Sequence, residues 1–214
     1  MQTHPQTITS HPPRVFNYSL DWRFLLPMAD LSKGCLLFED EIDFAQTLEH
    51  AGIQVSQRLF VSDIGNLKND SLPFLVMPFG LPTDWVGAGH ENRVKFYFSI
   101  RQLIDSGGYL LVGFNNALGR RTNPQIKYQS STPRRITDEI KQAGFKSVKI
   151  YGAMPGLQIP EYIFELEPQT IRFALQNRFR RKTKVLRALR VLAGTIGWKR
   201  ISYFLPCYFA LATA

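Results

Sequence analysis

The segment LIDSGGYLLVGFNNALG, Leu103 to Gly119, decides how the rest of the chain is read. It follows a stretch, Asn92 to Ile104, in which Val94, Phe96, Tyr97, Ile100, Leu103 and Ile104 give the apolar face of a helix. Ser106-Gly107-Gly108 then interrupts it, and Tyr109 to Phe114 is an apolar run with the length of a buried strand. Glycines accept backbone angles that other residues avoid, so the pair is expected to end the helix and turn the chain into the sheet. Asn115 and Asn116 would then emerge at the strand's carboxyl end, the edge at which open α/β sheets bind ligands.

Outward from this segment the pattern alternates. CLLFEDE, beginning at Cys35, reads as a buried strand running into acids, and Asp43 to His50 as a short amphipathic helix stopped by Gly52. IQVSQRLFVSD suggests one or two strands. SLPFLVMPFGL suggests a central strand broken by Pro78 and Gly80. Thr132 to Ala143 is a helix with Pro133 at its first position and an Ala-Gly-Phe stop. Lys146 to Tyr151 and Glu161 to Leu166 read as two strands whose connection is short enough to make them antiparallel. Strands alternating with helices of about ten residues predict an α/β domain with a mostly parallel sheet.

The chain has 214 residues, enough for one such domain. Two cysteines, Cys35 and Cys207, form no spacing pattern and read as free thiols in a reducing compartment. His4, His11, His50 and His90 sit in no metal-ligand spacing, so no metal site is expected. The first 14 residues lack the apolar core of a secretory signal and read as a flexible arm. No run of about 18 apolar residues predicts a membrane-spanning helix.

The order helix, LIDSGGYLLVGFNN, loop, helix ending Ala143-Gly144-Phe145, then KSVKIY resembles the second half of class I S-adenosylmethionine-dependent methyltransferases. The GFNN ending and the later IPEYIF segment are closest to members from polysaccharide biosynthesis clusters. The resemblance implies a single Rossmann-like methyltransferase domain over residues 15–168, a mostly parallel central sheet and a last strand inserted antiparallel. It implies S-adenosylmethionine as cofactor and a sugar or other small cell-envelope precursor as methyl acceptor. The first half departs from the pattern, because no Gly-rich G-x-G-x-G loop follows a first strand. The lone G-x-G, Gly87-Ala88-Gly89, lies in a loop before a helix and carries little weight.

Two alignments compete. CLLFEDE is either the first strand, with Glu39-Asp40-Glu41 replacing the glycine loop, or the second, with one of those acids holding the cofactor's ribose. The resemblance makes Glu39, Asp40, Glu41, Asp63, Phe79 and Gly80 the cofactor-binding candidates. Asn115, Asn116, Lys127 and Tyr128 are the substrate-binding candidates. Methyl transfer asks mostly for positioning, and no residue is singled out as a catalytic base. The missing loop also supports an alternative, a non-catalytic relative acting as a binding or scaffold subunit.

Charge is unevenly spread. Residues 169–214 hold ten Lys/Arg and no acid, whereas the whole chain carries a net charge of +9. This segment reads as a basic helical tail: TIRFALQNRFRRKTKVLRALRVLA fits an amphipathic helix, and GWKRISYFLPCYFALATA after it is aromatic and apolar. Residues 170–209 therefore suit either an anionic membrane surface, at the inner face of the membrane in the cytoplasm, or packing on the sheet with the basic face solvated and YFLPCYFALATA as a docked edge segment. Aromatics do not interleave with the basic run as nucleic-acid binding would require.

Overall fold

The computed structural model describes residues 21–27, 34–37, 57–59, 72–81, 89–118, 130–157 and 160–214. A 3-10 helix, Asp21–Leu25, precedes β1 (Cys35–Leu37), β2 (Gln57–Leu59), β3 (Leu72–Met77), α1 (Gly89–Leu103), β4 (Ile104–Asn116) and β5 (Ser130–Ser131). There follow α2 (Pro133–Gln142), β6 (Ser147–Met154), β7 (Tyr162–Glu165), α3 (Pro168–Arg178), α4 (Thr183–Ile196), α5 (Trp198–Ile201) and β8 (Cys207–Thr213). The arm over 1–14, the helix expected at 43–50 and the residues Gly87 and Ala88 lie outside the described residues.

The strands form one sheet in the order β2-β1-β3-β4-β8-β6-β7, with β5 added beside β4. Pairs β2–β1, β1–β3, β3–β4 and β4–β5 are parallel; β4–β8, β8–β6 and β6–β7 are antiparallel. An α/β domain with a mixed sheet and an inserted antiparallel strand is therefore present. The inserted strand is β8, whereas Tyr162–Glu165 is the antiparallel edge strand. This corrects the division at residue 168. Cys207–Thr213, expected at the end of a separate tail, pairs along its whole length with β4 on one side and β6 on the other. The tail also contains two helices rather than one, broken between Arg178 and Thr183.

The glycine pair is a second correction. Helix α1 ends at Leu103 and β4 begins at Ile104, so Gly107 and Gly108 lie inside the strand. They absorb a register shift, since Leu72 faces Ile104 but Phe74 faces Tyr109. Such extra length in one strand is a bulge, for which glycine is suited. Gly107 has φ +84°, and a Cβ on Gly108 would come within 2.7 Å of the Pro73 carbonyl oxygen. The bulge receives Ala214: the Gly107 N–H donates to its carbonyl at 3.2 Å, and its N–H donates to the Gly108 carbonyl at 2.9 Å.

Helix α2 begins as the sequence predicts. Thr132 caps it, its Oγ1 accepting from the Arg135 N–H at 3.3 Å, and Pro133 follows. Gly144, at φ +93°, closes it by donating to the Lys141 carbonyl.

Alternation along the strands splits the apolar residues into two faces. Leu75, Met77, Leu110, Val112, Phe114, Tyr208, Ala210 and Ala212 face the layer formed by α1 to α5. Phe74, Val76, Leu111 and Phe209 face Trp22 and Leu26. Each fully buried Leu or Phe stabilises the fold by roughly 1.5–3 kcal/mol relative to exposure.

Candidate functional site at the carboxyl edge of the sheet

Strand β1 pairs with β2 on one side and β3 on the other, so the chain order reverses there. A ligand crevice in a parallel α/β sheet opens outside the carboxyl ends of strands at such a reversal. This arrangement also decides between the two alignments. Among the described residues the strand begun by Cys35 is the first of the sheet, and Glu39-Asp40-Glu41 follow it in sequence.

The described part of the crevice is the turn after β3. Gly80, at φ +76°, lets the chain reverse, and its N–H donates to the Met77 carbonyl at 3.1 Å. Phe79 and Leu81 on this turn are buried, each packed into a different one of the two core clusters. The same turn leans on β4: a Cβ on Gly113 would lie 1.9 Å from the Pro78 carbonyl oxygen. Sequence reasoning read Gly113 as part of an apolar run and missed this close approach, which depends on a neighbouring strand.

At the end of β4 the two asparagines differ. Asn115 is half-buried and sits opposite Ser130 of β5 and Cys207 of β8. Asn116 is buried, and its side chain is committed to the C-terminal segment. Its Nδ2 donates to the carbonyls of Tyr203 (2.6 Å) and Leu205 (2.7 Å) and lies 3.2 Å from the Tyr208 hydroxyl. Its Oδ1 accepts from the Leu118 N–H at 3.0 Å. With donors and acceptor used internally, Asn116 is a structural clamp, which corrects its assignment to substrate binding. Neighbouring Ser131, in register with it, keeps a buried hydroxyl without a hydrogen-bond partner, as does the Trp22 indole N–H.

Glu39, Asp40, Glu41, Asp63, Lys127 and Tyr128 lie outside the described residues. Of the sequence-predicted residues the structure describes, Phe79, Gly80, Asn115 and Asn116 all lie at the carboxyl edge.

A buried carboxylate ties α1 to α2. Glu139 Oε1 accepts from Arg93 Nε (2.9 Å) and Nη2 (2.6 Å) and from Arg135 Nε (3.0 Å), and lies 3.2 Å from His90 Nδ1. Burial raises the carboxyl's pKa, but the Arg93 hydrogen bonds and charge, with His90 and Arg135, outweigh it and hold it below the ordinary value. Among the described residues no group of three or more His, Cys, Asp or Glu could hold a metal ion.

The described residues can be tested against a nucleotide-like cofactor. They supply a reversal point and a glycine turn at the carboxyl edge, the place at which such sheets bind nucleotides.

No protein-family model matches the sequence. No curated protein matches it. Solved structures do match. A SAM-dependent methyltransferase from Archaeoglobus fulgidus superimposes with a TM-score of 0.55 at 11% identity, covering 91% of each chain. A SAM-dependent methyltransferase from Thermotoga maritima, described as a possible histamine N-methyltransferase, gives 0.51 at 14% identity over 89% of this chain and 84% of that one. Phosphoethanolamine N-methyltransferase 2 of Haemonchus contortus, bound to phosphomonomethylethanolamine and S-adenosylhomocysteine, gives 0.50 at 10% identity over 91% of this chain and 51% of that one. Together with the sheet order, these likenesses show that the chain has the fold of S-adenosylmethionine-dependent methyltransferases.

Proposed function

We propose that the protein transfers a methyl group from S-adenosylmethionine to a small acceptor, a sugar or another cell-envelope precursor of the kind made by polysaccharide biosynthesis clusters. The observation that carries this reading is the chain reversal at β1 within a sheet shared with methyltransferases. The cofactor supplies an activated methyl: its carbon–sulfur bond breaks, the electron pair stays on sulfur, and an acceptor oxygen or nitrogen gains the methyl and loses a proton. The protein's share is placement. Phe79 and Gly80, on the turn after β3, contribute to holding the cofactor, and Asn115 at the end of β4 contributes to acceptor binding. Asp63 and the triplet Glu39-Asp40-Glu41 hold the cofactor's polar parts, and Lys127 and Tyr128 contribute to acceptor binding. Turnover takes place in the cytoplasm, at the inner face of the membrane.

The acidic triplet supports the second reading, a non-catalytic scaffold. Three negative charges following the reversal strand attract a sulfonium but repel the cofactor's carboxylate. Isothermal titration with S-adenosylmethionine and S-adenosylhomocysteine tests the first reading. One-to-one binding is expected; no heat and no thermal shift at millimolar cofactor would end it. The scaffold reading requires that Asp40→Ala and Asp63→Ala leave function in the cell intact, and loss of function by either folded variant rules it out.

A further inference from the structure

The helices α3, α4 and α5 are inserted between the edge strand β7 and the central strand β8. Their inner side is spoken for: Ile171, Ala174, Leu175, Ala193 and Ile201 are buried in the core. Their outer side has an unusual composition. Of the nine exposed large hydrophobic residues among the described residues, six fall in this segment: Phe173, Val185, Val191, Leu192, Tyr203 and Phe204. Phe173, Val191 and Phe204 each keep more than half of their surface in solvent, at 67%, 66% and 61%.

Ten basic residues and no acid share the segment. Among the described residues, only Arg178 of these ten has an acidic partner, its Nη1 lying 2.8 Å from Glu161. The other nine have no counter-charge among the described residues. On α4 the spacing is specific. Val185, Ala188 and Leu192 form an exposed apolar stripe at helical spacing, next to the inward-facing Leu189 and Ile196. Lys184, Arg187 and Arg190 share the remaining circumference with the exposed Val191. The helix is thus apolar over a wider arc than the core covers.

We infer that α3 to α5, with the turn through Tyr203 and Phe204, form a docking surface for an anionic lipid bilayer. Exposed apolar side chains next to unpaired cations match an interface that is apolar below and negative above. A second copy of the same face is disfavoured because like charges would meet. A nucleic acid would satisfy the cations but leave Val185, Leu192 and Phe204 in water. The Asn116 clamp on the carbonyls of Tyr203 and Leu205 fixes this surface to the carboxyl end of β4. Docking would therefore hold the carboxyl edge of the sheet at a set relation to the lipid headgroups. The inference stands whether or not methyl transfer occurs.

Flotation of the full chain with vesicles tests it, using phosphatidylglycerol mixed with phosphatidylcholine against phosphatidylcholine alone. The protein is expected to float with the anionic vesicles only, and salt should weaken the association. The double variant Arg187→Glu/Arg190→Glu should lower partitioning more than about tenfold. Leu192→Ser/Phe204→Ser should lower it as well, with circular dichroism unchanged for both. A folded wild type that stays at the bottom of the gradient overturns the inference. So does equal flotation with neutral vesicles, or retention of an unrelated RNA as strong as lipid binding and indifferent to Leu192→Ser/Phe204→Ser. Wild-type flotation compared between the two lipid compositions decides the matter even where a variant unfolds.

Discussion

Asn116 at the end of β4 donates to the Leu205 carbonyl at 2.7 Å, fastening the helical insertion to the strand that carries the candidate site. The same amide reaches the Tyr203 carbonyl, and the Tyr208 hydroxyl, itself donating to Ser202, stands at its edge. Asn116→Ala would leave buried carbonyls without donors. A destabilisation of about 2–3 kcal/mol is expected, since each orphaned buried group costs about 1–3 kcal/mol. Urea denaturation measures it. An unchanged midpoint, with cofactor or acceptor binding reduced instead, would return Asn116 to the ligand site.

Two glycines should respond oppositely to the same substitution. Gly113→Ala drives a methyl into the Pro78 carbonyl, 1.9 Å from the ideal Cβ position, and into backbone that cannot move cheaply. A loss of about 3 kcal/mol or more, or failure to accumulate folded protein, is expected. Gly194 in α4 has nothing within 4 Å of its Cβ position. Gly194→Ala should stabilise by about 0.5–1 kcal/mol through helix propensity. Thermal melts of the two variants check the contrast.

The Glu139 carboxylate contributes a pH-dependent stability of predictable sign. Its folded pKa lies below its ordinary value of 4.5, chiefly because the Arg93 bonds override the penalty of burial. The folded state therefore binds the proton less readily than the unfolded chain. The contribution is complete above about pH 4.5 and disappears as pH falls through the lower folded value. Glu139→Gln should cost about 3 kcal/mol at pH 7, because it removes the carboxylate that faces the buried Arg93. Denaturation of wild type and variant across the acid range should show this gap closing below pH 4.5.

Cys207 should be chemically inert in the folded protein. Burial pushes its thiol up to about 12, and Sγ donates to the Ala153 carbonyl at 3.2 Å. In a Cys35→Ser background, iodoacetamide at pH 8 should modify the protein only when denaturant is added. Fast labelling under native conditions would contradict the packing of β8.

What could be seen in the sequence was what local chemistry determines. Thr132-Pro133 marks the start of α2, and Ala143-Gly144-Phe145 its end, because caps and positive φ are written in single residues. The apolar face of α1 and the strand Leu72–Met77 were equally plain. The glycine pair in β4 was correctly taken as a place of unusual backbone, yet its bulge could not be seen without knowing that β3 runs beside it. The same limit hid β8. An apolar aromatic run such as CYFALAT does not say whether it belongs at an edge, on a membrane or between two strands, because that depends on partners far away in sequence. Asn116 looked like a ligand residue because strand-end asparagines often are, and only the folded chain shows that residues 203–208 already use it. The charge of the segment 169–214 was legible; which of its apolar residues stay in water was not.

The position of β8 has a consequence for biosynthesis. Its two neighbours, β4 and β6, leave the ribosome well before it does and must keep their facing hydrogen-bonding rows unsatisfied until it arrives. Distant pairing of this kind slows folding and exposes sticky strand edges in the interval. The middle of the sheet can therefore be completed only once residues 207–213 have been made.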